Sequence, residues 1–197
     1  MMRVWMTAVL LALVGCASTP PHYYTLSSAQ PAQKLADAPG VSPYAVNAVT
    51  IPAEVDRNAI VAQQQEGHLL LLSDDRWTAP LGSQIQTALS QGLEARLGTP
   101  PVQNLALGTR DSKATQIFVD VQRFDMVPGR HVVLNAAWRV QFPGSKLTFT
   151  CFTRLTEPVD VGVTALVLGQ QRNVQALAQQ IAQTLMRRAA PQGAFCQ

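Results

Sequence analysis

The chain has 197 residues, of which 47% are hydrophobic and 14% are charged, and its formal net charge is +3. This length accommodates one domain with a substantial core rather than two full domains. The near-neutral balance lacks the excess of Lys and Arg on which nucleic-acid binding depends, so it excludes nucleic acid as a partner. Because charge is sparse and glutamine abundant, we expect a largely neutral polar surface, which favours contact with partners or with itself.

The N-terminal segment predicts a lipoprotein signal peptide over residues 1–15. Arg3 precedes an apolar run over residues 4–14, which is too short to cross a hydrocarbon core that needs about 20 residues. A basic start, a short apolar run and small residues before the cleavage point are typical of secretory signal peptides. The ending Leu13-Val14-Gly15-Cys16 resembles the bacterial lipobox, so we predict lipidation of Cys16. The alternative is an uncleaved anchor helix with a buried cysteine.

The residue after Cys16 bears on which membrane holds the anchor. Stable anchoring takes two or more acyl chains, at ~0.8 kcal/mol per buried methylene, and a mature lipoprotein cysteine carries enough of them, palmitate included. In lipoproteins of this general kind, Asp in the next position favours retention in the inner membrane, whereas this chain has Ala17. The resemblance therefore implies an outer-membrane anchor facing the periplasm.

Two cysteines remain once Cys16 is assigned to lipid. Cys151 and Cys196 form an even pair in an oxidising compartment. We predict a disulfide between them, which would close a loop of about 45 residues and contribute ~4 kcal/mol on the chain-entropy model. The alternative is a buried structural Cys151 and a free Cys196.

The segment after the anchor predicts a tether leading into a single domain. Residues 16–43 are rich in Pro, Ser, Thr and Ala and predict a lipidated tether. Within it, the aromatic and β-branched content of 22–26 predicts a short strand at a sheet edge. A second strand is expected over 44–51, where Pro52 ends pairing. Residues 44–197 are then one periplasmic α+β domain.

The next region predicts a surface turn, a hairpin and a helix. Asp56 and Arg57 indicate a surface turn, because no third partner for catalysis is adjacent in the sequence. Apolar runs over 59–64 and 68–73 flank a glycine-bearing turn, which is typical of a β-hairpin. Residues 73–80 contain side chains that cap helix N-termini, including Asp74-Asp75. They predict a helix that begins near Thr78.

Periodicity defines the remaining elements. Apolar residues recur every four positions from Leu81 to Leu97, which predicts a first amphipathic helix. A second amphipathic helix is predicted where Val174, Leu177, Ile181 and Leu185 recur at three- and four-residue spacing, and it extends back through Gly169. Three alternating strands are separated by Pro-Gly turns and predict an antiparallel meander, in which Cys151 faces the core. We therefore predict an α+β fold: a two-layer sandwich of a mainly antiparallel sheet, hairpin plus meander, packed by two amphipathic helices.

No pattern in the chain predicts catalysis, a cofactor or a metal. The three histidines are isolated from one another, and neither a phosphate-binding loop nor a Gly-x-Ser-x-Gly motif is present. Trp77, Phe124 at a strand end, and Trp138 stand out instead. They are interpreted as packing anchors, since aromatic side chains bury ~150–250 Å² each, or as an apolar surface for a partner or a lipid.

Several short motifs together resemble one known family. They are Tyr23-Tyr24-Thr25-Leu26, Val49-Thr50-Ile51-Pro52 with Asp56-Arg57, Asp75-Arg76-Trp77 with Pro80-Leu81, Val119-Asp120-Val121, Arg123-Phe124 and Ala137-Trp138. With the lipobox, this order resembles the ABC-type transport auxiliary lipoproteins over nearly the whole mature chain. The most specific part of the resemblance is the pair of motifs Asp56-Arg57 and Asp75-Arg76-Trp77. We predict that these residues, with Phe124 and Trp138, form a partner or packing surface.

The resemblance implies an auxiliary component of a lipid transport system between the two membranes. Its implied partners are an MCE-domain protein, an inner-membrane permease and the outer membrane. We expect a homo-oligomeric collar that docks the transport assembly onto the outer membrane. The alternatives are a carrier that holds an acyl chain in an apolar cavity between helix and sheet, and a structural envelope lipoprotein without a transport role.

Overall fold

The computed structural model describes residues 20–28, 41–65, 67–102, 113–144 and 148–187. The elements, in chain order, are β1 (His22–Tyr24), β2 (Tyr44–Val46), β3 (Ala59–Gln65), β4 (His68–Trp77), α1 (Leu81–Leu97), β5 (Thr115–Val127), β6 (His131–Gln141), β7 (Thr148–Pro158) and α2 (Val163–Arg187).

The strands form two mixed sheets. One has the order β1-β4-β3, with β1 parallel and β3 antiparallel to β4; the other has the order β2-β5-β6-β7, with β2 parallel to β5. The α+β class, the two helices, the hairpin and the meander are confirmed. The strands form two sheets where one was expected. Their longer pairings are antiparallel as expected, but both sheets are mixed, because the two short N-terminal strands each add in parallel to a strand further along the chain.

The helices share one hydrophobic core with both sheets. Helix α2 lies on β6 and β7, and α1 packs against α2 and β2. The helices approach closely at Gly92, where an added Cβ would lie 2.9 Å from the Cβ of Ala178. Beside this contact the buried Arg96 donates to Gly92 O and to Gln175 Oε1, each at 2.8 Å, and burial lowers the pKa of Arg96.

A bulge in β5 decides which of its residues enter the core. Ile117 and Val121 are buried, and strict alternation would bury position 123 as well. A register shift between Val121 and Arg123 turns Arg123 outward and Phe124 inward. Phe124 therefore lies inside β5. The sequence pattern indicated a strand end at this position, and that prediction is wrong.

The predicted start of the first helix is wrong. Asp74 and Asp75 belong to β4, and α1 begins at Leu81, preceded by Pro80 without a side-chain capping hydrogen bond. Residues up to Trp77 stay extended because Trp77 N donates to Asn58 O at 2.8 Å and β4 also pairs with β1. Pairing on both edges of β4 thus outweighs the local tendency of these side chains to cap a helix.

The strand expected over 44–51 is shorter than predicted. β2 ends at Val46, and further along the segment Thr50 forms an isolated parallel bridge with Asp120 of β5. Cys151 is buried in the core as expected, and its sulfur takes part in a disulfide. Cys196 lies outside the described residues, so its pairing with Cys151 stays a prediction.

Candidate functional site

The segment that follows the predicted lipid anchor is built into the fold. β1 pairs with the end of β4, with Tyr23 opposite Arg76. Two residues after the strand, Leu26 is fully buried in the core. The strand predicted over 22–26 is thus present as β1, and the buried residue behind it fixes the segment to the domain.

Gln84 of α1 joins this segment to the first helix. Its Oε1 accepts hydrogen bonds from Leu26 N at 3.1 Å and from Thr25 Oγ1 at 3.0 Å. Its Nε2 donates to Thr78 Oγ1 at 2.5 Å and to Tyr24 O at 3.4 Å. One buried amide therefore holds both the segment after β1 and the chain entering α1.

The second helix holds the same segment from the other side. Gln171 Nε2 donates to Thr25 O at 2.9 Å and to Ser27 O at 3.4 Å. Burial raises the pKa of Tyr24, a hydrogen bond with Thr164 of α2 opposes the rise, and Asp75 adds to it. The anchor-proximal segment, residues 22–27, is consequently held by β4, α1 and α2 together.

The residues of the Asp-Arg-Trp motif on β4 differ in burial: Trp77 is buried, Asp75 is half-buried and Arg76 is exposed. Trp77 is buried and packs edge-to-face on Phe124, with ring centroids 6.4 Å apart. Asp75 Oδ1 lies 3.3 Å from His22 Nδ1 of β1, and Arg76 Nε donates to Ser73 O at 3.0 Å. In this arrangement Trp77 packs the core and Asp75 faces the segment that leads to the anchor.

Trp138 is also inside the domain. Its Nε1 donates to Thr153 Oγ1 at 2.9 Å, and that hydroxyl donates to Gln180 Oε1 at 2.5 Å. This chain of hydrogen bonds runs from β6 through β7 to α2. None of Trp77, Phe124 and Trp138 is more than 4% exposed, so these side chains do not offer an apolar surface to a partner in this structure.

A groove beside the start of α1 brings other motif residues together. Its volume is about 330 Å³. Val49, Thr50, Ile51, Asp56 and Pro80 line it with three residues of α1 and with Ala48. Arg57, the neighbour of Asp56, is exposed beside the turn over 53–55. The groove is open and partly polar, which differs from the enclosed apolar space that an acyl chain prefers.

Gly82 explains how closely α1 approaches this groove. A Cβ added at Gly82 would lie 2.9 Å from the carbonyl oxygen of Val49. Gln86 Nε2 donates to Val46 O at 2.8 Å, and Thr50 Oγ1 bonds to the Asp120 carboxylate. The segment over 46–51 is thus held between α1 and β5, and the groove is a fixed feature of the fold.

The described residues contain no group of three or more His, Cys, Asp or Glu that could hold a metal ion. Neither α1 nor α2 is long and apolar enough to cross a membrane, as far as the described part of the chain goes. Asp56 and Asp75, the carboxylates of the predicted site, lie in different places: Asp56 lines the groove, and Asp75 faces β1.

Sequence reasoning missed the glutamines that fasten the anchor-proximal segment. Glutamine was interpreted as neutral surface, yet Gln84 is buried. The available signal was its spacing: Gln84 stands three residues after Leu81 and one before Ile85, which places it on the buried stripe of the helix. Gln170 shows the same signal, four residues after the buried Leu166.

The chain matches a known protein family and two proteins of that kind. Residues 24–182 match the family model described as the ABC-type transport auxiliary lipoprotein component. The chain is similar to the intermembrane transport lipoprotein PqiC of Escherichia coli (strain K12), with 25% identity over 146 residues, 73% of this chain and 76% of that one. The same values hold for PqiC of Shigella flexneri.

Solved structures share the fold. Protein XCC0632 from Xanthomonas campestris superposes with a TM-score of 0.66 at 13% identity, over 85% of this chain and 96% of that one. An uncharacterised protein superposes with the same TM-score at 19% identity, over 84% and 98%. These likenesses concern the fold alone. Because the family model covers most of the chain, from β1 into α2, the protein belongs to the family of ABC-type transport auxiliary lipoprotein components.

Proposed function

We propose that this protein is a non-catalytic, outer-membrane-anchored periplasmic component of an intermembrane lipid transport system. Residues 1–15 are removed and Cys16 carries the acyl chains. The domain forms a homo-oligomeric collar that docks an MCE-domain protein, and with it an inner-membrane permease, onto the outer membrane. The family and the similarity to an intermembrane transport lipoprotein support transport as the setting.

The observation that carries the docking role is the attachment of residues 22–27 to the fold. His22 stands six positions after Cys16, and six extended residues reach ~20 Å at most. A domain connected to its lipid anchor by so short a segment stays at the membrane surface. That suits a fixed docking platform better than a carrier that must travel between membranes.

The alternative, a carrier that holds an acyl chain, needs an apolar cavity between helix and sheet. In the described residues that space holds packed side chains, including the fully buried Leu89, Leu134 and Leu177. The groove beside α1 lies outside this core and is partly lined by Asp56 and Gln86. Docking is therefore the function that the geometry supports best.

Co-purification and mass measurement test the proposal. The mature, acylated protein should appear as an oligomer in mass photometry and should co-purify with an MCE-domain protein from native membranes. Native mass spectrometry of the domain should reveal no bound lipid beyond the acylated cysteine. A strict monomer that retains no MCE protein would refute docking, and a stoichiometric bound lipid would favour the carrier. Adjacent MCE or permease genes would exclude the purely structural lipoprotein.

A further inference from the structure

The β3–β4 hairpin exposes leucines near its turn. Leu69, Leu70 and Leu71, here called the leucine patch, are 49%, 42% and 50% exposed. Ala62 and Val61 stand opposite Leu70 and Leu71 on β3. Because side chains alternate across a strand, Leu69 and Leu71 lie on one face of the hairpin and Leu70 on the other, so both faces carry an exposed leucine near the turn. Isolated exposed apolar residues are ordinary on protein surfaces, whereas neighbouring ones indicate a contact. Other exposed large apolar residues, such as Phe152 of β7 and Val161, lie elsewhere in the described sequence.

The direction of β1 places the membrane anchor on the side of this patch. β1 runs parallel to β4, with His22 opposite Asp75. The N-terminal end of β1 therefore points along β4 toward the hairpin turn. His22 stands six positions after Cys16, and Asp75 stands six positions after Leu69. At ~3.3 Å per extended residue, the chain from His22 back to Cys16 spans ~20 Å at most. A lipid on Cys16 can therefore reach the level of Leu69, but it cannot lie further than this span from the start of β1.

The strands of the hairpin carry no charge on either side of its turn. The ionisable residues of the sequence over 59–73 are Glu66 and His68, which both stand at the turn. A contact made by uncharged groups depends on apolar burial rather than on attraction to anionic headgroups.

We propose that the leucine patch rests in the surface of the membrane that holds Cys16. The acyl chains and the hairpin then fix the domain at two points and set its orientation. This inference depends on the lipid anchor of the proposed function and adds the surface that the domain turns toward the bilayer.

Depth-dependent quenching tests the contact. Leu70→Trp is prepared in the mature, acylated protein and added to vesicles of phosphatidylethanolamine and phosphatidylglycerol, with or without brominated acyl chains. The native Trp77 and Trp138 are buried, so the wild type supplies the baseline. The matched control is Phe152→Trp, at the 65% exposed position of β7. Because surface-bound elements bury their apolar face ~5–10 Å deep, we expect roughly twofold stronger quenching of Leu70→Trp than of the control.

Each outcome bears on one claim. Equal quenching of Leu70→Trp and Phe152→Trp would overturn the membrane contact. A blue-shifted Leu70→Trp emission without quenching would assign the leucine patch to a second copy or another protein, which also overturns it. If Leu70→Trp lowers the melting temperature, Leu69→Trp serves as the probe. Absence of acyl chains in the intact mass would refute the proposed anchor itself, a result distinct from an acylated protein whose hairpin stays in water.

Discussion

Glutamine side chains join the helices to the strands in this protein. Gln84 bonds the segment after β1, Gln171 bonds the same segment from α2, and the fully buried Gln170 donates to Asp125 O at 2.9 Å and to Val133 O at 3.1 Å. An uncharged amide can both donate and accept, so it satisfies buried backbone groups without the desolvation cost of a charge.

We expect Gln84→Leu to lower the free energy of unfolding by ~1–3 kcal/mol, because the buried Leu26 amide loses its acceptor. Urea denaturation measures the change, and hydrogen exchange at the Leu26 amide should accelerate. The control is Gln91→Leu, an exposed position of the same helix, where the effect should stay within about 0.5 kcal/mol. Equal destabilisation by both substitutions would contradict the role of Gln84.

Helix α2 approaches the strands closely at Gly169. A Cβ added at Gly169 would lie 2.5 Å from Val159 Cγ1 and 2.7 Å from Val132 Cγ2. Val132 of β6 is fully buried, and its β-branched side chain is stiff. A glycine in mid-helix thus permits the first turns of α2 to lie against the sheet, which explains why the helix pattern continues through Gly169.

We expect Gly169→Ala to lower the free energy of unfolding by up to about 2 kcal/mol, since overpacking costs ~1–3 kcal/mol against a helix-propensity gain of ~1 kcal/mol. Thermal and urea unfolding measure it. Leu168→Ala, at an exposed neighbouring position, controls for a change of helix surface and should have a small effect.

A double-mutant cycle isolates the contact. Combining Gly169→Ala with Val159→Ala removes the methyl group at 2.5 Å, so the combined cost should be smaller than the sum of the single costs. A Gly169→Ala variant more stable than the wild type would show that the helix has room to retreat.

For the whole molecule, the anchor and the fold act together. The domain has its own core, which includes residues from Leu26 to Leu185, so we expect it to fold without a lipid. In the proposed function, the short stretch between Cys16 and β1 keeps the domain at the bilayer.

We expect Cys16→Ser to give a soluble periplasmic protein with an unchanged melting temperature that no longer supports transport in cells. Cell fractionation, thermal unfolding of the purified domain and a transport-dependent growth phenotype measure the three effects. Gln91→Leu, expressed to the same level, is the control for substitution as such. A fully active, soluble Cys16→Ser protein would rule out docking through the anchor.

Local patterns determined most of the secondary structure. Four-residue spacing from Leu81 to Leu97 predicted α1, alternation predicted the meander, and the turn at Gly67 predicted the hairpin. Family membership also followed from short motifs that stand in sequence order. These features depend on neighbours within a few positions along the chain, which is the information that a single sequence contains.

Only the tertiary structure decided how distant segments meet. The parallel pairing of β1 with β4 joins residues more than fifty positions apart and turns Asp74 and Asp75 from expected caps into strand residues. The bulge before Phe124 and the burial of Gln84 likewise depend on partners distant in sequence. The sequence by itself therefore determined most of the elements and the family, and it predicts the anchor; the tertiary structure decided that residues 22–27 are fixed to the fold, because long-range pairing outweighs local preference.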